Sequence, residues 1–332
     1  MAKRIKDTDY LFISTNLRAQ ERNLLTAARM ERMIEAATAE EAAKVLFEIG
    51  YNEFSTDSVA QLGQALAAER EKVFAELYRF APDKSVVDVF KVKYDYHNAK
   101  AALKAQAQGV ECSRLLVEAG RMEAEKLALA VQNGSYDALP GTMPKAVKEA
   151  AEVLSTTGDP QRSDFVLDQA YYSEMLRCAE QTGSAFLKRY VQVSIDAANL
   201  RSAVRTLRLG KGGDFLRRVL FEGGSVPVSR VTSAALSGNI AEPYRTDTLR
   251  TAGELGAEAA SGGPLTAFEK ACDDAVTAVV AEAKHVPFGI EVVIGYLVAK
   301  EIEFTAVRII MSSRMAGIDG DIIRERLRES YV

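Results

Sequence analysis

Two histidines, three cysteines and a few acid- or glycine-rich strings are the residues of this chain with the chemistry to act as catalysts or ligands. His97 stands in Tyr94-Asp95-Tyr96-His97, where an acid beside an imidazole suggests acid–base work. At about 100° per helical residue, however, the His97 and Asp95 side chains diverge by about 160°. His97 therefore reads as a packing or interhelical residue beside an apolar face. Cys112, Cys178 and Cys272 are too sparse and too far apart for a disulfide framework or a zinc site, and fit a reducing compartment. Asp319-Gly320-Asp321 has the look of a calcium loop, but Ile323 and Arg324 stand where oxygen ligands belong, so a helix N-cap before Ile322 is expected. Gly210-Lys211-Gly212-Gly213 lacks the Walker spacing and its Lys-Ser/Thr pair, and its glycines read as the end of one helix and a turn into the next. There is no Gly-x-Ser-x-Gly elbow. The expectation is a chain with no catalytic, cofactor or metal site.

What does recur is a polar pattern. Four strings align: Ile13-Ser14-Thr15-Asn16-Leu17-Arg18, Asp95-Tyr96-His97-Asn98-Ala99-Lys100, Asp196-Ala197-Ala198-Asn199-Leu200-Arg201 and Glu303-Phe304-Thr305-Ala306-Val307-Arg308. A second cation follows the first by one helical turn at Arg22, Lys104 and Arg205. With Asn199 at the centre of a helical wheel, Ile195, Leu200, Ala203, Val204 and Leu207 spread around it, with Asp196 among them. Arg201 and Arg205 fall on the far side. Asn98 sits likewise with Tyr94, Ala102 and Leu103, and Lys100 and Lys104 point away. The Glu303 copy is more apolar, with Ile302, Ile309 and Ile310, and Ala306 takes the asparagine position. In the Asn16 copy Ile13 replaces the acid. A neutral polar group buried without a partner costs on the order of 2–7 kcal/mol. The repeated Asp95, Asn98, Asp196, Asn199, Glu303 and Asn16 are therefore expected to pin helix against helix through bonds to a neighbouring helix end or side chain. The cations Arg18, Arg22, Lys100, Lys104, Arg201, Arg205 and Arg308 have two readings, a solvated and ion-paired face or a row that meets a partner.

The elements that carry these residues read almost throughout as helix, because Ala, Leu, Glu, Arg and Lys dominate and strand-like alternation is rare. Breaks fall at Gly50, Pro82, Gly109, Asn133-Gly134, Pro140-Gly141, Gly158-Asp159-Pro160, residues 210–213, Gly223-Gly224 and Gly262-Gly263-Pro264. Gly109, Gly210 and Gly317 close the later motif helices as C-cap glycines do. Helices over roughly 57–80, 163–180 and 265–283 precede the later motifs. Two shorter echoes pair Val45-Leu46-Phe47-Glu48 with Val219-Leu220-Phe221-Glu222, and Leu167-Asp168-Gln169-Ala170 with Cys272-Asp273-Asp274-Ala275. The pattern predicts an all-α protein of three similar helical units, residues 1–108, 109–210 and 211–332, each ending in a motif helix while the Asn16 copy opens the first. The 332 residues, 48% hydrophobic and 27% charged with net charge -4, suit a globular protein with no global basic field for nucleic acid. The opening Met1-Ala2-Lys3-Arg4 is polar, with no signal-peptide core, and the apolar run at 292–299 is far short of the ~20 residues of a membrane helix. A cytoplasmic protein is expected, reaching a membrane only through a partner.

The same strings carry a family resemblance. Lys93-Tyr94-Asp95-Tyr96-His97-Asn98-Ala99-Lys100 is similar to the Tyr-Asp-x-His-Asn-Leu-Lys signature shared by the d subunits of V-ATPases and the C subunits of the prokaryotic V/A-type ATPases, and residues 196–201 look like its second copy. The stretch from Val286-Pro287-Phe288-Gly289 through Tyr296-Leu297-Val298-Ala299-Lys300-Glu301, with Glu303, Arg308 and Ile323-Arg324-Glu325-Arg326-Leu327-Arg328, resembles the family's most recognisable segment. The resemblance spans essentially the whole chain in order. Ala99 and Ala306 depart from it, standing where leucine and asparagine are usual. It implies a three-domain helical funnel of pseudo-threefold symmetry, without cofactor, metal or active site. The funnel sits on the membrane rotor ring of proteolipid subunits and receives a central shaft made of the D and F subunits. It would be monomeric in isolation, one copy per complex, passing torque between ATP chemistry and proton or sodium transport. An unrelated helical adaptor for a partner helix, or a small helical enzyme relying on His97, are the competing readings.

Overall fold

The computed structural model describes residues 5–332, and every regular element among them is a helix. The opening string Met1-Ala2-Lys3-Arg4 lies outside the described residues. A short α1 (Leu11–Gln20) comes first. Then α2 (Ala27–Glu35), α3 (Ala39–Glu48), α4 (Val59–Phe80) and α5 (Ser85–Gln108) run 9, 10, 22 and 24 residues. The rhythm returns in α6 (Ala124–Gln132), α7 (Met143–Thr157), α8 (Pro160–Gln181) and α9 (Ala185–Arg208), with 9, 15, 22 and 24 residues. After the seven-residue α10 (Gly213–Val219) it returns again in α11 (Val228–Leu236), α12 (Arg250–Ala260), α13 (Leu265–Ala281) and α14 (Ile290–Met315), with 9, 11, 17 and 26 residues. A short α15 (Gly320–Arg326) follows.

Local chemistry sets the boundaries. The side chains of Thr26, Thr38, Ser58, Asp159 and Ser184 accept from the first free N–H groups of α2, α3, α4, α8 and α9. Each such cap is worth about 1 kcal/mol. The motif helices α5, α9 and α14 end alike. Gly109, Gly210 and Gly317 take φ of 65°, 61° and 67°, and the next N–H reaches back to Ala105, Thr206 and Ser313 at 3.0, 3.1 and 2.9 Å. Only glycine adopts that left-handed turn without cost, as the sequence led us to expect. The 210–213 glycines do separate α9 from α10, and Asp319 does cap a helix, accepting from Asp321 N at 2.8 Å.

The helices gather into two compact units. One comprises, of the described residues, 5–84, Asp247–Ala259 and Gly263–Val332. Its centre is α14, all of whose residues from Val292 to Ala299 are buried. Around α14 pack α1, α2, α3, α4, α13 and α15. That all-round burial explains the apolar run at 292–299, which is a core helix. No helix of the described residues is long and apolar enough to cross a membrane. The other unit comprises Ser85–Thr246 and Ala260–Gly262. Within it α5 packs on α6, α7 and α8, and Val92, Tyr96, Leu127, Val131, Met143, Val147 and Leu167 fill the space between them. α9 then packs on α8, α10 and α11.

Candidate functional site: acid clamps and the cation row

Asp95 and Asn98 lie one turn apart on α5, and both are fully buried. They hold the chain that returns from α5 to start α6. Asn98 donates through Nδ2 to the Val117 carbonyl at 2.9 Å and accepts from the Val117 N–H at 2.8 Å. A carboxamide is suited to this, because its adjacent donor and acceptor imitate a neighbouring peptide. Asp95 accepts at Oδ1 from the N–H groups of Arg121 (2.9 Å) and Met122 (3.4 Å), and at Oδ2 from Arg121 Nε (2.6 Å). Loop groups that would be orphaned in the interior are thereby satisfied.

The same device recurs on α9. Asn199 exchanges both bonds with Phe221, at 2.8 and 2.7 Å. Asp196 accepts from the N–H groups of Ser225 (2.9 Å) and Val226 (3.2 Å) and from the Ser225 hydroxyl. Both loops bring a glycine against the acid. A Cβ on Gly120 would lie 2.2 Å from Asp95 Oδ1, and one on Gly224 2.1 Å from Asp196 Oδ1. Both read apolar-Glu-small-Gly, as Val117-Glu118-Ala119-Gly120 and Phe221-Glu222-Gly223-Gly224.

On α14 the acid is Glu303, and the junction it holds lies early in the chain. Leu25 N donates to Glu303 Oε2 at 2.8 Å, and Leu25 stands two residues before α2. Met122 and Val226 stand equally two residues before α6 and α11. Glu303 Oε1 also accepts from Tyr51 Oη (2.6 Å) and Lys300 Nζ (2.6 Å), and Lys300 reaches Glu69 on α4 at 3.2 Å. Burial, then the Glu303 carboxylate, push the Tyr51 phenol well above its ordinary range, so it stays the donor. Ala306, at the asparagine position, offers no side-chain bond. Asn16 behaves differently from Asn98 and Asn199. It is half-buried and donates to Glu76 at 3.4 Å. With Ile13 at the acid position it holds no loop, but its bond to Glu76 ties α1 to α4, as expected of a helix-to-helix pin.

One polar cluster escaped the sequence reading. Glu174 of α8, fully buried, accepts from Arg121 Nη1 (2.7 Å), Tyr96 Oη (2.8 Å) and Thr142 Oγ1 (2.8 Å). Arg121 thus bridges Asp95 and Glu174. Burial pushes Asp95 up, only partly opposed by Arg121. Burial works against Glu174 too, but Arg121 with the Thr142 and Tyr96 hydroxyls outweighs it and holds the carboxyl below its ordinary value. A signal was available: Leu167, Tyr171, Glu174 and Cys178 share one stripe of α8, so the acid faces the core.

The cations divide. Lys100 and Lys104 pair with Asp168 (2.5 Å) and Asp164 (2.6 Å) of α8. Partly exposed pairs of this kind are worth about 0.2–1 kcal/mol. Arg18 pairs with Glu21 at 2.7 Å and donates to the Ala283 and Val286 carbonyls at 2.6 and 2.7 Å. All three are bonded within the fold, and Arg201 and Arg205 have interactions there as well. Arg201 is half-buried, and Arg22, Arg205 and Arg308 are exposed. His97 is exposed as well, its Nε2 3.0 Å from the Leu115 carbonyl. His285 is also exposed, and the cysteines are free thiols. No group of three or more metal-ligating side chains occurs among the described residues.

Repeated helix junctions held by buried acids organise an all-helical protein. The family described as the ATP synthase (C/AC39) subunit matches residues 13–326. The C subunit of the V-type sodium ATPase of Enterococcus hirae is 23% identical over 326 residues, covering 97% of this chain and 99% of its own length. The C subunit of the A-type ATP synthase of Methanocaldococcus jannaschii is 24% identical, with 96% and 86% covered. The C subunit of the V-type ATP synthase of Thermus thermophilus is 23% identical, with 69% and 77% covered. The chain belongs to the ATP synthase (C/AC39) subunit family, and is thus a component of a V/A-type rotary ATPase.

Proposed function

We propose that this chain is the central-stalk coupling subunit of its rotary ATPase. It would join a D–F shaft to the membrane ring of proteolipid subunits and pass torque in either direction. The repeated clamp carries the reading: three long helices each fix the entry to a short helix through a buried acid, which suits a stiff transmitting body. We extend this to three units, residues 1–108, 109–210 and 211–332, in a pseudo-threefold funnel, monomeric alone and present once per complex. The protein would be non-catalytic, without cofactor or metal, and peripheral on the cytoplasmic side of the membrane through its partners. The cation row Arg18, Arg22, Lys100, Lys104, Arg201, Arg205 and Arg308 supplies the proposed shaft contacts, with Arg22, Arg205 and Arg308 its most exposed members. Tagged protein recovered from native membranes should bring down shaft and ring proteins in one-to-one proportion with the shaft. Recovery without any rotary ATPase component would sink the proposal. Charge reversal at Arg201 and Arg205 should slow association with isolated D–F shaft at low salt and matter less at high salt.

A further inference from the structure

The corner between α10 and α11 joins two features that soluble surfaces keep apart. Leu209, at the end of α9, is 66% exposed, and Leu236, at the end of α11, is 58% exposed. A Cβ added to Gly213 would lie 3.2 Å from Leu236 Cδ1 and 3.6 Å from Arg217 Nη1, so leucine, glycine backbone and guanidinium meet at one place. Lys211, Arg217 and Arg218, within five residues of Gly213 in the chain, are exposed. Arg217 pairs with Asp214, while Lys211 and Arg218 form no ion pair among the described residues. The face of α11 adds no acid, since Glu222 and Glu242 bracket a stretch without one, and Glu242 is taken by Arg230 at 2.8 Å.

An internal comparison sharpens this. The α5–α6 corner is also apolar, with Val110, Leu115 and Leu129 exposed by 54, 57 and 60%. Its charges balance, with Glu111 near Arg114 in sequence and Glu123 paired to Lys126 at 2.8 Å. Of the two, the α10–α11 corner alone combines exposed leucines with excess positive charge. We propose that this corner is a contact for an anionic phospholipid surface. The cations meet headgroup phosphates while Leu209 and Leu236 enter the headgroup–acyl boundary. A direct lipid contact goes beyond attachment through partner subunits and does not depend on it.

The test is partition of the full chain onto vesicles of phosphatidylcholine alone or with about one-third phosphatidylglycerol. Each cation near an anionic surface contributes roughly five-fold in affinity, so at least ten-fold preference for the anionic vesicles is expected, weakening as salt rises. Lys211→Glu with Arg218→Glu should remove that preference, and the milder Lys211→Gln with Arg218→Gln should reduce it. Leu209→Ser with Leu236→Ser should lower partition several-fold and keep the salt dependence. Leu129→Ser, in the balanced corner, should change nothing. Equal binding to both vesicle types overturns the proposal. So does charge reversal that leaves vesicle partition intact while blocking incorporation into the ATPase complex, which would assign the corner to an acidic protein instead.

Discussion

Asn98 and Asn199 each satisfy one N–H and one carbonyl of a buried loop, and truncation strands both. Asn98→Ala and Asn199→Ala should each cost about 1–3 kcal/mol, read as a lower midpoint in urea unfolding. The glycines opposite the acids give a second test of the same contact. Gly120→Ala and Gly224→Ala must push an aspartate aside and should destabilise by roughly 1–3 kcal/mol. Gly63→Ala, inside α4 with nothing within 4 Å of its added Cβ, should instead stabilise by up to about 1 kcal/mol. A result in which all three glycine substitutions behave alike would remove the steric argument. Glu174 makes the acid response specific. Its carboxyl lies below the ordinary glutamate value of 4.5 in the fold. Its stabilising share is therefore complete above that pH and is lost as pH falls through the lower folded value. Glu174→Gln should lower the urea midpoint at neutral pH and flatten its fall below about pH 4.5.

At the scale of elements, each acid governs the junction ahead of one short helix. Asp196→Ala should raise hydrogen exchange across residues 221–236, and Glu303→Ala across residues 24–35. The Glu303 change should cost more, about 3 kcal/mol, because it also takes a partner from buried Lys300. Exchange rising uniformly along the chain in both variants would mean that the acids only support global stability. The helices themselves were legible in the sequence. Helix formers and the glycines at 109, 210 and 317 set boundaries close to those observed, and the wheel put Asp95, Asn98, Asp196 and Asn199 inside. What they hold was not legible, since a wheel gives a direction and not a partner. Asn98 and Asn199 reach only 19 and 22 residues along the chain, but Glu303 reaches back 278 residues to Leu25.

At the scale of the molecule, the unit containing α5–α11 is almost continuous in sequence, whereas the unit around α14 draws on both ends of the chain. A fragment of residues 85–246 should therefore unfold cooperatively by circular dichroism, and a fragment of residues 5–84 should show little stable tertiary structure. If the second fragment folds cooperatively alone, α14 is not the centre that its burial implies. Calorimetry of the whole chain with ATP and magnesium should show no saturable heat, because the glycine string at 210–213 is spent on a helix end. Tight stoichiometric binding would reverse the non-catalytic reading.

The bond between Tyr51 and Glu303 spans 252 residues. On a ribosome adding about 5–20 residues per second, Tyr51 waits roughly 13–50 s for its acid to be made. For that interval Met33, Ile34 and Leu46, each at most 3% exposed in the finished fold, have no α14 to cover them. Every nascent copy therefore presents an uncovered greasy surface near its start until its last large helix has been translated. Chaperones that bind emerging polypeptides have their natural target in residues 27–48, and a chain cut short before residue 290 carries that surface permanently, as a ready substrate for proteolysis.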